Sequence, residues 1–445
     1  MTSIVTLHGL VAACSVLTYV ATTRVRNQRR TPGTAIAWVL ALVFVPYLAL
    51  PLYLLFGSRA ARPPARPASR LTGGDWLDEC ADGLGLPRRR IGRASVHADA
   101  SASMTSLLAT IGSARSSLDI CVYIFAGDRT GRELADLLIS RARDGVRVRV
   151  VVDGVGLLLK DRSAVKALRE NGVDFRVFNA PALASISSVD TRNHRKYVIA
   201  DGSRAWMGGR NFADEYFDTD STSWRDLTFD CDGPVVADIG AQFEQDWGGT
   251  RIHGAAPTPA CDPPASDAAG LRFVASGFDQ PDDTLRTLLI SAAYRAESEF
   301  LVVTPYFVPD AGLLEALRLA SARGVTVRIA IPAQSNHRLT DFVRGRALRR
   351  LAAAGANIGL YRGMNHGKLV VVDRRLAFAG SANFDTRSLL INYEAMMVFS
   401  VGEDVQQLHA WAEGVFTCSD PFLAIHVPLW RDVAEGLLLA MAFET

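Results

Sequence analysis

Histidine and lysine two residues apart, followed by an aspartate and a glycine-rich turn ending in asparagine, occur twice in this chain at one spacing. The first set is His194, Lys196, Asp201, Gly208-Gly209 and Asn211, within HRKYVIADGSRAWMGGRN. The second is His366, Lys368, Asp373, Gly380-Ser381 and Asn383, shifted by 172 residues (194 to 366) at every position. KYVIAD and KLVVVD are short, apolar and β-branched, so they read as buried strands on which residues two apart share a face. Each lysine therefore points the same way as its histidine. A cation beside an imidazole suits an anionic group such as a phosphate and repels a divalent metal, so neither a metal nor another cofactor is expected. The turns carrying Gly209 and Ser381 allow close backbone approach, and with Asn211 and Asn383 they add donors for phosphate oxygens. Two copies supply a nucleophile and a general acid for opposite sides of one phosphodiester. His194, Lys196, Asp201, His366, Lys368 and Asp373 are the candidate catalytic residues.

Composition supports the pairing. Of 48 Lys and Arg residues only four are lysine, Lys160, Lys166, Lys196 and Lys368, so half of the lysines occupy the two motif positions. A compact ammonium fits there where a wide guanidinium fork does not. The net charge of +2 offers no global attraction for nucleic acid, which is not an expected partner. Six cysteines, Cys14, Cys80, Cys121, Cys231, Cys261 and Cys418, show no zinc or redox spacing and read as reduced and structural.

The elements that must position these residues repeat as well. LDICVYIFAGDRTG is an apolar strand, followed by a helix from Arg132 and a strand from Gly145 to Asp153. SEFLVVTPYFVPD opens the second round, with a helix from Gly312 and a strand from Gly324. Strand, helix, strand twice over predicts an α/β duplication: a first half over 91–254, a Pro/Ala-rich linker over 255–270 and a second half over 271–445.

Ahead of them lies something apolar. No charged residue occurs from Met1 to Thr23 or from Thr31 to Ser58, and each stretch exceeds the roughly 20 residues of a spanning helix. Residues 1–58 read as an N-terminal transmembrane hairpin with helices at about 3–23 and 35–57, the second kinked by Pro46 and Pro51 or dipping into one leaflet. Arginines on both sides tie the charge rule for orientation; the long body has no translocation signal and is expected in the cytoplasm. Residues 59–90, with RAARPPARPASR, read as a basic, Pro-rich linker. Arg338, Arg344, Arg346, Arg349 and Arg350 crowd one helical stretch, either meeting lipid phosphates or forming a solvated face. DVAEGLLLAMAF, near the end of the chain, reads as a core or interface helix.

Around the paired motifs the chain resembles the phospholipase D superfamily, in its bacterial cardiolipin synthase branch. In the first half the resemblance is carried by Asn193 to Lys196, Asp214-Glu215-Tyr216, Trp224 with Asp226, and Gly233-Pro234. In the second it is carried by TPYFVPD from Thr304, GSANFDTRS from Gly380, and Asn392 with Glu394. It extends over nearly the whole chain from about Arg30. Two positions depart from the pattern: Asn336 stands for an acid and Met364 for phenylalanine. The resemblance implies two phospholipase-D-like αβ halves related by a pseudo-twofold, with His194 and His366 in one cleft. It implies a multi-pass protein of the bacterial cell membrane that joins two phosphatidylglycerol molecules into cardiolipin and releases glycerol. His194 would form the phosphohistidine, with Glu394 orienting His366 and Asp226 orienting His194. Phosphatidylglycerol and other anionic phospholipids are the implied partners. A membrane-bound phospholipase D-type hydrolase of phospholipid or nucleic acid remains the alternative, since the choice of acceptor depends on how the cleft excludes water.

Overall fold

Alternation within the motif strands decides how the two halves meet. In the strand Tyr197–Ala200, Tyr197 and Ile199 face one core while Val198 and Ala200 face another. Leu369–Val372 divides in the same way, Leu369 and Val371 against Val370 and Val372. The core shared by Tyr197, Ile199, Leu369 and Val371 lies between two sheets, and the other two cores lie under the helices outside them. Two sheets thus pack face to face between helical layers. The computed structural model describes residues 2–25, 32–54, 75–180, 191–218, 223–249, 270–280, 283–425 and 427–442.

The first sheet runs, edge to edge, Arg93–His97, Thr228–Asp232, Arg204–Gly208, Tyr197–Ala200, Ser117–Val122, Arg147–Asp153 and Asp174–Phe178. The last three strands are parallel and the rest antiparallel. The second sheet repeats this order with Leu271–Ser276, Glu394–Phe399, Leu376–Gly380, Leu369–Val372, Glu299–Val303, Thr326–Pro332 and Asn357–Tyr361, then adds Ser419–Pro421 at the edge. The expected duplication is therefore a repeat of topology as well as of motif. In both halves an aspartate starts the crossover helix. Asp128 accepts from Gly131 N at 3.0 Å ahead of Arg129–Arg143, and Asp310 accepts from Gly312 N at 2.9 Å ahead of Ala311–Ala322.

Two expectations need correction. The linker expected over 59–90 is shorter than that: Trp76–Gly83 is a helix capped by Asp75, and its Leu77 and Ala81 join the second half's outer core. The RAARPPARPASR run lies outside the described residues, as does almost all of the 255–270 linker. The second apolar stretch, expected as one helix over about 35–57 kinked by its prolines, is broken outright at the first of them. It runs Pro32–Phe44, breaks at Val45 (φ −134, ψ 51) and resumes as Pro46–Leu52. Val45 precedes a proline, which disfavours its helical conformation, and Pro46 has no N–H to continue the ladder. Among the described residues one helix, Thr2–Val25, contains a segment long and apolar enough to cross a membrane, Thr6–Arg24. The two apolar segments pack through Tyr19, Leu42, Ala49 and Tyr53, with Thr22 Oγ1 2.5 Å from the Tyr53 hydroxyl.

Candidate active site

Both motif strands begin at the seam between the halves. Arg192 O accepts from Tyr393 N (2.9 Å) and His194 N donates to Tyr393 O (2.8 Å), tying the entry of the first motif to the second half. The reciprocal pair ties Arg225 to the second motif: Arg225 N donates to Met364 O (2.9 Å) and His366 N donates to Arg225 O (2.6 Å). These two bridges place the acid after Arg225 beside His366, and the acid after Tyr393 beside His194. His366 Nδ1 lies 2.7 Å from Asp226 Oδ2, and His194 Nδ1 lies 3.0 and 3.1 Å from the Glu394 oxygens. The pairing expected from the resemblance is therefore exchanged. Each imidazole is held by the carboxylate of the opposite half, because the seam juxtaposes strand ends across the pseudo-twofold.

The turn residues follow from these acids. An added Cβ at Gly209 would come 2.2 Å from Asp226 Oδ1, and one at Gly380 would come 2.2 Å from the Ala395 carbonyl, so both positions need glycine for close approach. Ser381 occupies the place equivalent to Gly209, and there its hydroxyl donates to Glu394 Oε2 at 2.5 Å. Ser381 and Gly209 thus support the orienting acids. Asn211 is occupied too, accepting from Ile124 N (3.1 Å) and donating to the Tyr216 hydroxyl (2.8 Å). Asn383 differs: its Oδ1 is buried without a hydrogen-bond partner among the described residues.

Lys196 and Lys368 are each about 1% exposed. Lys196 Nζ donates to His194 O (2.6 Å) and Lys368 Nζ to His366 O (2.5 Å), so each ammonium curls back beside its own histidine. Lys368 Nζ also lies 2.8 Å from His366 Nδ1 and 3.0 Å from its Nε2. Burial pushes Lys196 down to about 8 and Lys368 down to about 7, against the pull of Glu394 and Asp226. Burial, reinforced by the Lys368 ammonium, drives His366 down to about 3, and burial likewise lowers His194 while Glu394 opposes it. Desolvation alone would raise Asp226, yet His366 and Lys368 hold it below the usual carboxylate value. With Nδ1 donating to Glu394, the lone pair of neutral His194 sits on Nε2.

Asp201 and Asp373 are not part of this cluster. Each lies beyond the far end of a four-residue strand, about 13 Å long at the usual rise, in a turn with φ of 52°. Asp201 accepts from the amides of Arg115, Ser116 and Ser117, and Asp373 from those of Glu297, Ser298 and Glu299. Their equal register reflects a repeated fastening of the strand end. Residues the motif reading left without a role surround the imidazoles: Tyr123 stands edge-on to His194 at 5.1 Å, and Tyr216 and Trp224 stand 5.1 and 5.4 Å from His366. The signal available for them was an aromatic at a strand end and two more beside the orienting acid. Of the departing positions, Asn336 Oδ1 accepts from the Tyr306 hydroxyl at 2.5 Å, and Met364 contributes its carbonyl to the seam.

A metal has little to hold it at this site, since both acids serve imidazoles and two ammonium groups stand beside them. Elsewhere Glu299, His409 and Glu413 converge, but Arg328 bridges the two carboxylates, which makes that cluster an ion-pair network.

Two equivalent α/β halves that exchange acids across their seam, around paired histidines and lysines, define the phospholipase-D-like class. A family model described as a cardiolipin synthase, PLD-like domain matches residues 107–247 and 289–415, and one described as a phospholipase D-nuclease N-terminal region matches 11–58. Cardiolipin synthase A of Pseudomonas aeruginosa is 32% identical over 89% of this chain and 87% of its own length. The major cardiolipin synthase of Bacillus subtilis is 31% identical over 83% of this chain and 84% of its own. Among solved structures, a phosphatidylserine synthase from Haemophilus influenzae shares the fold, with a TM-score of 0.63 at 14% identity over 83% of this chain and 97% of that one. The chain belongs to the bacterial cardiolipin synthase family.

Proposed function

We propose that the protein is a membrane phosphatidyltransferase that makes cardiolipin from two phosphatidylglycerol molecules and releases glycerol. The observation that carries the chemistry is the exchange of acids: two imidazoles, each with Nδ1 held by a carboxylate and each beside a buried lysine, meet at one seam. The cardiolipin-forming specificity comes from the relatives. His194 Nε2 attacks the phosphorus of the first phosphatidylglycerol, and the glycerol oxygen leaves with a proton from His366, whose protonated form the bound anionic phosphodiester stabilises against burial. A phosphatidyl-histidine remains. His366 then takes the proton of a hydroxyl on the second phosphatidylglycerol, whose oxygen attacks phosphorus and frees His194. His194 is assigned as nucleophile because its side chain is the more exposed of the two, 12% against 5%, whereas Lys368, a proton donor, lies within 3.0 Å of both ring nitrogens of His366. Lys196, Lys368 and the Asn383 amide hold the non-bridging oxygens as charge builds there.

The apolar N-terminal segments anchor the enzyme in the bacterial cell membrane, as a hairpin over 1–58 that keeps the catalytic halves, 91–254 and 271–445, on the cytoplasmic side. The test is the product formed from phosphatidylglycerol vesicles by purified full-length protein with chelator present. Cardiolipin with equimolar glycerol is the expected result, and labelled phosphate trapped on His194 is expected after a rapid acid-free quench. Phosphatidic acid without cardiolipin overturns the transferase reading. Label on His366 reverses the assignment of the two histidines.

A further inference from the structure

The C-terminal helix Leu429–Ala442 has two unlike faces. On its inner side the fully buried Glu435 takes Arg349 at 2.5 Å and Arg431 at 3.0 Å. Gly436 lies so close to Arg346 that an added Cβ would meet its Nη1 at 2.4 Å, so this face is fitted to the helix Arg338–Ala353. On the outer side Leu429, Trp430, Val433 and Leu437 are 79, 68, 51 and 60% exposed, and their spacing puts them on one stripe. Leu423 and Ile425, at 75 and 72%, extend it. An apolar surface of this extent marks contact with a partner or a membrane.

Two further observations say which. The same helix packs against Pro32–Phe44 of the N-terminal apolar region, whose Ile36, Leu40 and Phe44 are also exposed, so the stripe continues a surface already suited to lipid. Behind it lies a groove of about 200 Å³, lined by apolar Val308, Leu314, Val343, Ala347 and Leu439 together with Arg346 and Arg350. Arg344 and Arg349 are taken by Asp341 and Glu435. Arg346 reaches Asp432 only at 3.7 Å, and Arg350 makes no ion pair among the described residues; Glu315, within its electrostatic reach, is bonded to Arg318. Apolar walls with two guanidinium groups, that of Arg346 only loosely paired, match an acyl chain joined to a phosphate.

We infer that this edge of the second half is a lipid-binding surface: the outer face of the C-terminal helix enters the bilayer beside the N-terminal helices, and the groove behind it holds an anionic phospholipid, its phosphate on Arg346 and Arg350. Binding of such a helix grows with buried apolar area and with attraction to anionic headgroups. The groove also touches the site's surroundings, since Val308 pairs with Asp385, two residues beyond Asn383.

The test reads Trp430. Full-length protein is reconstituted in phosphatidylcholine vesicles with small fractions of acyl-brominated phosphatidylglycerol or acyl-brominated phosphatidylcholine, and the Trp430 signal is taken as the difference from Trp430→Phe. The expected result is quenching by both, stronger for phosphatidylglycerol by about fivefold per arginine in relative affinity, and reduced to the phosphatidylcholine level in Arg346→Gln/Arg350→Gln. Equal quenching by both lipids, unchanged by those substitutions, overturns the groove. Absence of quenching overturns the whole inference, and a dimer cross-linked through this helix would then assign the face to a second copy. His194→Ala protein must give the same quenching, so the outcome stands apart from the proposed reaction.

Discussion

The two half-sites use the same parts with different lengths. In the first half a glycine, Gly209, leaves room for the short acid Asp226, which reaches His366; in the second a serine, Ser381, braces the longer Glu394, which reaches His194. Acid and turn residue are matched as a unit: where the acid lengthens, a hydroxyl takes up the space and adds a bond. The bases are left unequal. His366 sits against Lys368, whose Nζ is 2.8 Å from Nδ1 and 3.0 Å from Nε2, while His194 is the more open, with its side chain 12% exposed against 5%. A fold built by duplication thereby holds two unlike imidazoles.

The most severe way to break that comparison is to remove either base. His194→Ala and His366→Ala should each lose about 10³-fold or more in kcat, with circular dichroism unchanged; normal turnover in either would sink the two-histidine scheme. Next come the exchanged acids. Glu394→Gln should slow formation of the phosphohistidine at His194, and Asp226→Asn should slow proton transfer by His366, each by roughly 10–100-fold in rapid-quench kinetics. The converse assignment of the two defects would restore pairing within each half.

Turn residues sharpen the point further. Gly209→Ser should drive Asp226 from its place and cost about 100-fold, whereas Ser381→Gly removes one hydrogen bond and should cost about tenfold or less. Equal losses would mean that the acid and its turn are not matched. The pH profile of kcat/KM tests the lysines. With Lys368 and Lys196 lowered to about 7 and about 8, raising the pH through that range discharges them in the free protein. Affinity for the phosphodiester should therefore fall on the basic side. A flat profile up to pH 10 would remove the buried lysines from phosphate binding.

The smallest effect is expected at Asp201. Burial tends to raise its carboxyl, but the amides of Ser117, Arg115 and Ser116 outweigh this and hold it at about 2, so its contribution to stability is present at neutral pH and lost as pH falls through that value. Asp201→Ala should lower Tm by a few degrees while kcat of the folded protein stays near normal. A large loss of kcat would return this aspartate to the catalytic group.

Sequence reached the repeated halves because strand alternation and motif spacing are local properties, and KYVIAD and KLVVVD display both. It could not reach the acid exchange, which depends on Arg225 lying beside Asn365 and Tyr393 beside Asn193 across the seam. Nor could equal spacing separate chemistry from architecture. Asp373 repeats Asp201 as faithfully as Lys368 repeats Lys196, yet one pair fastens strand ends and the other lies beside the imidazoles. The break at Val45 was written in Pro46, while the helix Trp76–Gly83 was masked by its position after an arginine- and proline-rich run.

Glu394 follows His194 by 200 residues, so the order of synthesis governs when this imidazole gains its carboxylate. At ordinary rates of translation the first half leaves the ribosome roughly 10–40 s before its histidine's carboxylate exists. Through that interval a nascent chain has an imidazole without its orienting partner.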